Sequence, residues 1–145
     1  MSVLTLDQAQ AIVAAALEKS RALALSPLAI AVLDARGALK AFAAQDGTSL
    51  KRGEIALGKA KGALALGVGS RGLFRRAQDQ PFFIAAATSA IGGDLIPVPG
   101  GVLIRDRDRT ILGVVGISGD TSDNDEACAL AGIAATGYAA DPGQD

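Results

Sequence analysis

The chain has 145 residues, which suits a single domain, and half of them are apolar, enough for a sizeable core. Its net charge of −1 argues against a nucleic-acid-binding arm or a polybasic membrane patch. It contains no histidine, which excludes Ser-His-Asp and Cys-His catalysis and histidine-ligated zinc or haem iron. With no tryptophan and one tyrosine, an aromatic platform for single-stranded nucleic acid is disfavoured.

The sequence contains few signals for a cellular compartment or for disulfide formation. No apolar run is long enough to span a membrane, and the first residues, MSVLTLDQAQ, lack the pattern of a secretory signal. The single cysteine, Cys128, cannot form an internal disulfide. We therefore expect a cytoplasmic protein with one domain over residues 1–145 and no metal site.

The first third predicts a helix followed by a hairpin. Thr5 and Gln8 have the spacing of a capping box, and apolar residues then recur at helical intervals up to about Leu25, before Pro27. Residues 28–33 form an apolar run typical of a buried strand. A turn at residues 35–37 and a second apolar run over 38–44 predict an antiparallel partner.

A second helix is predicted over residues 50–66, with a stripe of alanines along one face. Gly58 and Gly62 lie one turn apart within it, and each costs roughly 0.5–1 kcal/mol relative to alanine. Because both glycines destabilise the helix, we expect that they are present to let it pack closely against another element. Lys59 lies four residues after the apolar Ile55, on the same face of the predicted helix. Two interpretations of Lys59 therefore stay open. It is either a solvated side chain or a partly buried one that holds an anion or acts as a base.

The next stretch predicts short elements. Residues 70–78 suggest a basic helix that carries Arg71 and Phe74. One interpretation is an amphipathic helix with these residues on its solvated face. The other is a binding surface in which Phe74 forms an apolar floor and the Arg71 guanidinium binds a carboxylate. Residues 82–90 suggest a second short helix or a buried loop. Residues 98–105 and 110–118 predict a hairpin with a charged tip, and Gly113 and Gly116 mark places where another backbone or a ligand comes close.

The last predicted helix runs from about Ser122 to Tyr138 and has four carboxylates at its start. One explanation of such charges is that they cap the helix and compensate its dipole, and each well-placed charge then stabilises the helix by about 0.3–1 kcal/mol. The alternative is a cation or acid/base site, and the clustered negative charge argues against a phosphate loop. The carboxylates are Asp120, Asp123, Asp125 and Glu126.

Two blocks of sequence resemble the haem-degrading (GlcG/HbpS-like) family. The first is QDGTSLKRGEIALGKAKGAL, and the second is GGDLIPVPGGVLIRDRDRTILGVVGISGDTSDNDEACALAG, with its Pro-Gly-Gly entry, glycine-bearing hairpin and acidic helix start. The family includes glycolate-operon accessory proteins, a haem-binding protein of a sensor system and the C-terminal domain of some corrinoid adenosyltransferases. The likeness extends from residue 4 to about 135.

The resemblance implies an α/β fold of the profilin-like kind, an antiparallel five-stranded sheet with helices on both faces. Four strands are predicted above, so we expect the fifth to be missed or to lie around residues 85–95. It also implies a place in a catabolic operon and homo-oligomers built from dimers, up to an octamer. Some family members ligate haem iron through histidine, a role without a matching residue here. The remaining candidates are Cys128, Tyr138, Met1, a lysine or a hydroxyl.

Two functions fit these observations. One is an oligomeric small-molecule-binding protein whose ligand is a tetrapyrrole or another carboxylated molecule. The other is a small lyase, isomerase or hydrolase acting on an organic acid, in which Lys59 activates the substrate and Asp125 or Glu126 moves a proton. We predict a pocket between the Lys59 helix and the glycine-bearing strands; its candidate ligand-binding residues are Asp46, Gly100, Gly101, Gly116, Ser118, Arg71 and Phe74.

Overall fold

The structure is a computed structural model that describes residues 2–143. These residues contain five helices and five strands. These elements are α1 (Leu6–Ala22), β1 (Ala29–Asp34), β2 (Leu39–Ala44), α2 (Arg52–Leu66), α3 (Ser70–Asp79), α4 (Pro81–Ala90), β3 (Gly101–Arg105), β4 (Ile111–Ser118), α5 (Ser122–Ala134) and β5 (Ala139–Asp141).

The strands form one antiparallel sheet in the order β2-β1-β4-β3-β5. The two predicted hairpins, β1–β2 and β3–β4, are therefore joined along the central β1–β4 pair. This confirms the expected α/β class and the antiparallel five-stranded sheet. Within residues 2–143, no helix combines the length and apolar character needed to cross a bilayer.

Local signals in the sequence account for most element boundaries. The Thr5 hydroxyl accepts from the Gln8 N–H at 3.1 Å and the Gln8 side chain accepts from the Thr5 N–H at 3.0 Å, so the predicted capping box opens α1. Gly67 ends α2 with a φ of 69°, a left-handed conformation that glycine adopts without strain.

Residues 81–90 form a helix, one of the two structures predicted for residues 82–90, and Pro81 at its first position favours a helix start. Three other features differ from the sequence predictions or were missed by them. The fifth strand, expected to be missed or to lie around residues 85–95, is β5. Helix α5 ends at Ala134 instead of Tyr138, since a turn at Gly137 (φ 80°) directs the chain into β5. Helix α1 ends three residues earlier than expected, and Ala24 follows it with a positive φ.

Helices cover both faces of the sheet. Helices α1 and α5 pack on one face, where Ile12 and Ile133 meet Ile30, Val32 and Ile117 in the larger core. Helix α2 packs on the other face in a smaller core that contains Ala60, Ala63, Leu33, Leu103 and Val114. The α3–α4 pair forms a third apolar cluster with Leu95.

Glycines allow α2 to approach its neighbours closely. A Cβ atom on Gly116 would overlap the Ala56 carbonyl oxygen and lie 2.9 Å from the Ala60 Cβ, so β4 meets α2 without a side chain between them. On α2 itself, a Cβ on Gly58 or Gly62 would lie within 3.0 Å of Ile96 or Leu95, respectively. The cost of two glycines in a helix is thus offset by this close packing, as the sequence indicated.

We predict that Gly116→Ala lowers the free energy of unfolding by about 2–3 kcal/mol, because the new methyl group displaces α2 from the sheet. Urea unfolding followed by far-UV circular dichroism measures this loss. The control is Gly67→Ala, whose Cβ would meet nothing within 4 Å and whose φ is 69°, so that only backbone strain of about 1 kcal/mol is expected. Equal losses in the two variants would contradict the packing argument.

Candidate functional site

The candidate residues of α2 and α5 meet at one end of the sheet, where β4 ends and β3 begins. Ser118 is the last residue of β4, and the chain turns through Gly119 and Asp120 into α5. The backbone at Gly119 has a φ of 155°, and a Cβ there would overlap the Pro27 carbonyl oxygen. This tight turn places the start of α5 beside the middle of α2.

Lys59 and Asp125 form a buried ion pair at this point. The Lys59 Nζ donates to Asp125 Oδ2 at 3.1 Å and to the Ile117 carbonyl at 2.9 Å. The two side chains are 3% and 1% exposed, respectively. The ammonium group therefore connects α2 to the end of β4 and to α5. The structure brings together two of the three residues predicted to be catalytic.

Burial lowers the pKa of Lys59, because desolvation penalises the charged ammonium group; the attraction of Asp125 opposes this shift, and the nearby Arg52 charge adds to it. The other Asp125 oxygen, Oδ1, accepts from the Asp120 N–H at 3.0 Å. No side-chain nitrogen or oxygen buried in the described residues lacks a hydrogen-bond partner, so the pair is complete as it stands.

Arg52, which the sequence analysis did not single out, belongs to the same end of the sheet. Its Nη1 donates to the Ser118 hydroxyl at 3.0 Å, and the residue is only partly buried. Arg52 and Lys59 are seven residues apart, which is close to two helical turns and places both on one face of α2. That spacing was the signal from which Arg52 could have been found.

The glycine pair before β3 packs against Lys59. A Cβ on Gly100, whose φ is 126°, would lie 2.9 Å from the Lys59 Nζ, and one on Gly101 would overlap the Lys59 carbonyl oxygen. The Gly101 N–H donates to the Ser70 hydroxyl at 2.7 Å. The space beside these glycines and Gly116 is thus occupied by α2 and Ser70.

Glu126, the third residue predicted to be catalytic, pairs with Arg71 instead of Lys59. The Arg71 Nε donates to Glu126 Oε2 at 2.9 Å and its Nη2 to Oε1 at 3.1 Å, and Asp123 accepts a further hydrogen bond. These hydrogen bonds raise the pKa of Arg71. The pair ties α3 to α5, and the Arg71 charge is already compensated.

The carboxylates at the start of α5 separate into different roles. Thr121 is the N-cap, and its hydroxyl accepts from the Asn124 N–H at 3.2 Å. Asp120 accepts from the Asn124 side chain, the Ser26 N–H and the Thr121 N–H, which lower the pKa of its carboxyl to about 2. Asp120 therefore holds the turn, whereas Asp125 points inward to Lys59.

Two predicted ligand-binding residues lie outside this cluster. Asp46 is exposed in the loop between β2 and α2, and Phe74 is on α3 with 37% of its surface exposed. The structure thus brings Lys59, Asp125, Ser118, Gly100 and Gly101 together, with Gly116 on the same strand as Ser118. Arg71 and Glu126 form an adjacent ion pair.

Comparisons with known proteins show the family to which this chain belongs. The model of the family described as haem-degrading, HbpS-like proteins matches residues 4–134. The chain belongs to the HbpS-like family. The comparison with curated proteins gave no match.

Solved structures share the fold over almost the whole chain. PduOC in its haem complex is 25% identical with a TM-score of 0.84, over 95% of this chain and 98% of that one. The protein ORFY of Klebsiella pneumoniae is 23% identical with a TM-score of 0.83, over 94% and 92%. A double mutant of HbpS from Streptomyces reticuli is 24% identical with a TM-score of 0.78, over 92% and 87%.

Two candidate axial ligands for haem iron, Cys128 and Tyr138, have other contacts in the fold. Cys128 is fully buried in the larger core, and burial raises the pKa of its thiol to about 11. The Tyr138 hydroxyl accepts from the Gln8 side chain at 3.2 Å. Met1 lies outside the described residues. No group of three or more acidic or cysteine side chains in residues 2–143 is arranged to hold a metal ion.

We predict that Lys59→Met lowers the free energy of unfolding by about 3–5 kcal/mol, because the buried Asp125 carboxylate loses its counter-charge. The double variant Lys59→Met/Asp125→Asn should recover much of that loss, since the amide is neutral and keeps an oxygen for the Asp120 N–H. Urea unfolding of both variants measures the two changes.

The control for the Lys59→Met variant is Lys61→Met, which removes a lysine from the same helix. The Lys61 partner is Asp94, and their side chains are 43% and 61% exposed, so an effect of no more than about 1 kcal/mol is expected. A Lys59→Met variant as stable as this control would show that the buried pair does not stabilise the fold.

Proposed function

We propose that this chain is a small-molecule-binding protein whose ligand is haem-related or carries comparable carboxylates. Membership of the HbpS-like family and the likeness to the haem complex of PduOC support the ligand class. The observation that carries the choice of site is Arg52, a partly buried guanidinium beside Ser118 with no carboxylate partner among residues 2–143.

The hydrogen-bond donors of Arg52 suit an anion. Lys59 pairs with Asp125, and Arg71 pairs with Glu126 and Asp123, so Arg52 is the basic side chain of this group that has no carboxylate partner among residues 2–143. A guanidinium binds a carboxylate through two parallel hydrogen bonds, and Ser118 occupies only one of its donors. We therefore infer that a ligand carboxylate binds at Arg52, outside the buried Lys59.

Recognition by carboxylates fits a chain without histidine. Of the candidate iron ligands, Cys128 is buried and the Tyr138 hydroxyl is already hydrogen bonded. In this proposal the iron atom therefore contributes little to affinity. The propionate groups of a tetrapyrrole, or the carboxylates of another planar acid, contribute instead.

The alternative, an enzyme acting on an organic acid through Lys59, has weaker support. The Lys59 Nζ has two short hydrogen bonds and its side chain is 3% exposed. A substrate would have to displace α2 from Gly100 and Gly101 to reach it. Positioning Arg52 and holding α5 is the role that this geometry favours for Lys59.

We also propose that copies of the chain associate. Strand β2 is an edge of the sheet, and on or near it Leu39, Phe42 and Leu50 expose 53%, 46% and 89% of their surface, respectively. We predict a mass that is a multiple of 14.5 kDa in light scattering at micromolar concentration. A mass near 14.5 kDa would contradict this part of the proposal.

We predict that Arg52→Gln weakens binding of haemin and of metal-free protoporphyrin by the same factor, about tenfold or more, because a charge-assisted hydrogen bond contributes roughly 1.5–3 kcal/mol. Visible absorption measures haemin binding, and porphyrin fluorescence measures binding of the metal-free ring. The parent chain should bind the two molecules with affinities within about threefold, since no histidine ligates the iron.

The matched control is Lys61→Gln, which removes an exposed positive charge from the same helix and should leave both affinities unchanged. If haemin binds far more tightly than the metal-free ring, iron ligation dominates and the proposal of recognition by carboxylates is wrong. If Arg52→Gln binds both as the parent does, the ligand does not bind at Arg52.

A further inference from the structure

A second candidate site lies at the opposite end of the sheet and does not depend on the function proposed above. A cavity of about 650 Å³ opens where β1 ends and β4 begins. Strand β4 has eight residues, so the cavity is roughly 20 Å or more from Ser118. Its volume falls within the range of about 300–1,000 Å³ that is usual for small-molecule pockets.

Irregular strand pairing lies near the cavity. The register of β1 against β2 shifts between Val32 and Leu33, and that of β3 against β4 shifts between Ile104 and Arg105. Such bulges bend strands and redirect side chains, and they are frequent near binding sites.

The floor of the cavity is apolar. Leu4 and Leu112 are 1% and 3% exposed, and Val3, Ala35 and Ile111 extend the same lining. Leu4 lies flat against the sheet because β4 has a glycine there: a Cβ on Gly113 would lie 3.0 Å from the Leu4 Cδ2. Gly113 thus leaves room for the Leu33 carbonyl oxygen of β1 and for the Leu4 side chain, whereas Gly116 leaves room for helix α2.

Among residues 2–143, the charged side chains that line the cavity are three carboxylates and one guanidinium, which sum to a charge of −2. Asp34 is paired with Arg36 at 3.4 Å and accepts from the Ala38 N–H, so its charge is compensated. Asp106 uses one oxygen, Oδ1, to accept from the Asp108 and Thr110 N–H groups. Asp108 gives the turn only its backbone N–H, and its side chain is exposed.

We propose that this cavity binds a small organic cation, an ammonium or amidinium group on a hydrocarbon body. The body covers Leu4, Ile111 and Leu112, and the cationic group binds the carboxylates of Asp106 and Asp108. Charge complementarity selects this class, because an anion of the same shape would meet two uncompensated carboxylates. The two ends of the sheet then prefer ligands of opposite charge.

Three probes of similar shape test the proposal: phenethylamine, 2-phenylethanol and 3-phenylpropionate. Binding is followed by chemical shifts of backbone amides in two-dimensional nitrogen–proton NMR of the full chain. Phenethylamine should bind most tightly and should shift the amides of residues 34–36 and 108–112. Its affinity should fall about threefold to fivefold in Asp108→Asn, the range expected for an exposed ion pair.

The matched control is Asp79→Asn, an exposed carboxylate on α3 that should leave the affinity unchanged. A second variant, Ala35→Leu, narrows the cavity from its rim. It should weaken the binding of phenethylamine without changing the far-UV circular dichroism spectrum. Equal affinity for the amine and the alcohol, an unchanged affinity in Asp108→Asn, or shifts confined to the Arg52 end would each overturn the proposal.

Discussion

The arrangement of the molecule depends on one buried charge, the Lys59 ammonium group. Its hydrogen bonds to Asp125 and to the Ile117 carbonyl join the middle of α2 to the end of β4 and the start of α5. A buried lysine is unfavourable unless it is paired, so α2 and α5 can both pack on the sheet only in the register that brings these groups together. The ion pair therefore specifies geometry more than it adds stability.

Close backbone contacts make this register possible. Gly116 and Gly101 remove the side chains that would hold α2 away from the strands, and Gly100 leaves room for the lysine head group. A larger residue at any of these positions would move the ammonium group away from its partners. The glycines that interrupt an otherwise apolar hairpin thus serve the same contact as the carboxylates that follow it.

The sequence predicted what is local and missed what depends on distant contacts. The capping box at Thr5 and the two hairpins follow from spacing alone, whereas spacing left open whether Lys59 is solvated or partly buried. Strand β5 was missed because it has only three residues, and its pairing with β3 is supported by the Arg105–Asp141 ion pair between segments far apart in the chain. Glu126 was grouped with Lys59 because adjacent residues were assumed to face the same partner, yet neighbours on a helix point about 100° apart.

This chain has no histidine, and its charged groups at the end of β4 divide into paired ones and an unpaired arginine. The interior pair Lys59–Asp125 and the neighbouring pair Arg71–Glu126 are internally neutral, so they fix helices without attracting ligands. Arg52 is attached to that frame by Ser118 but has no acid of its own among residues 2–143. A guanidinium held in this way is preorganised, and a ligand carboxylate that binds it does not have to order a mobile side chain first. Lys59, whose charge holds the fold, and Arg52, whose charge we propose for ligand binding, are therefore separate residues on one face of α2, about two helical turns apart.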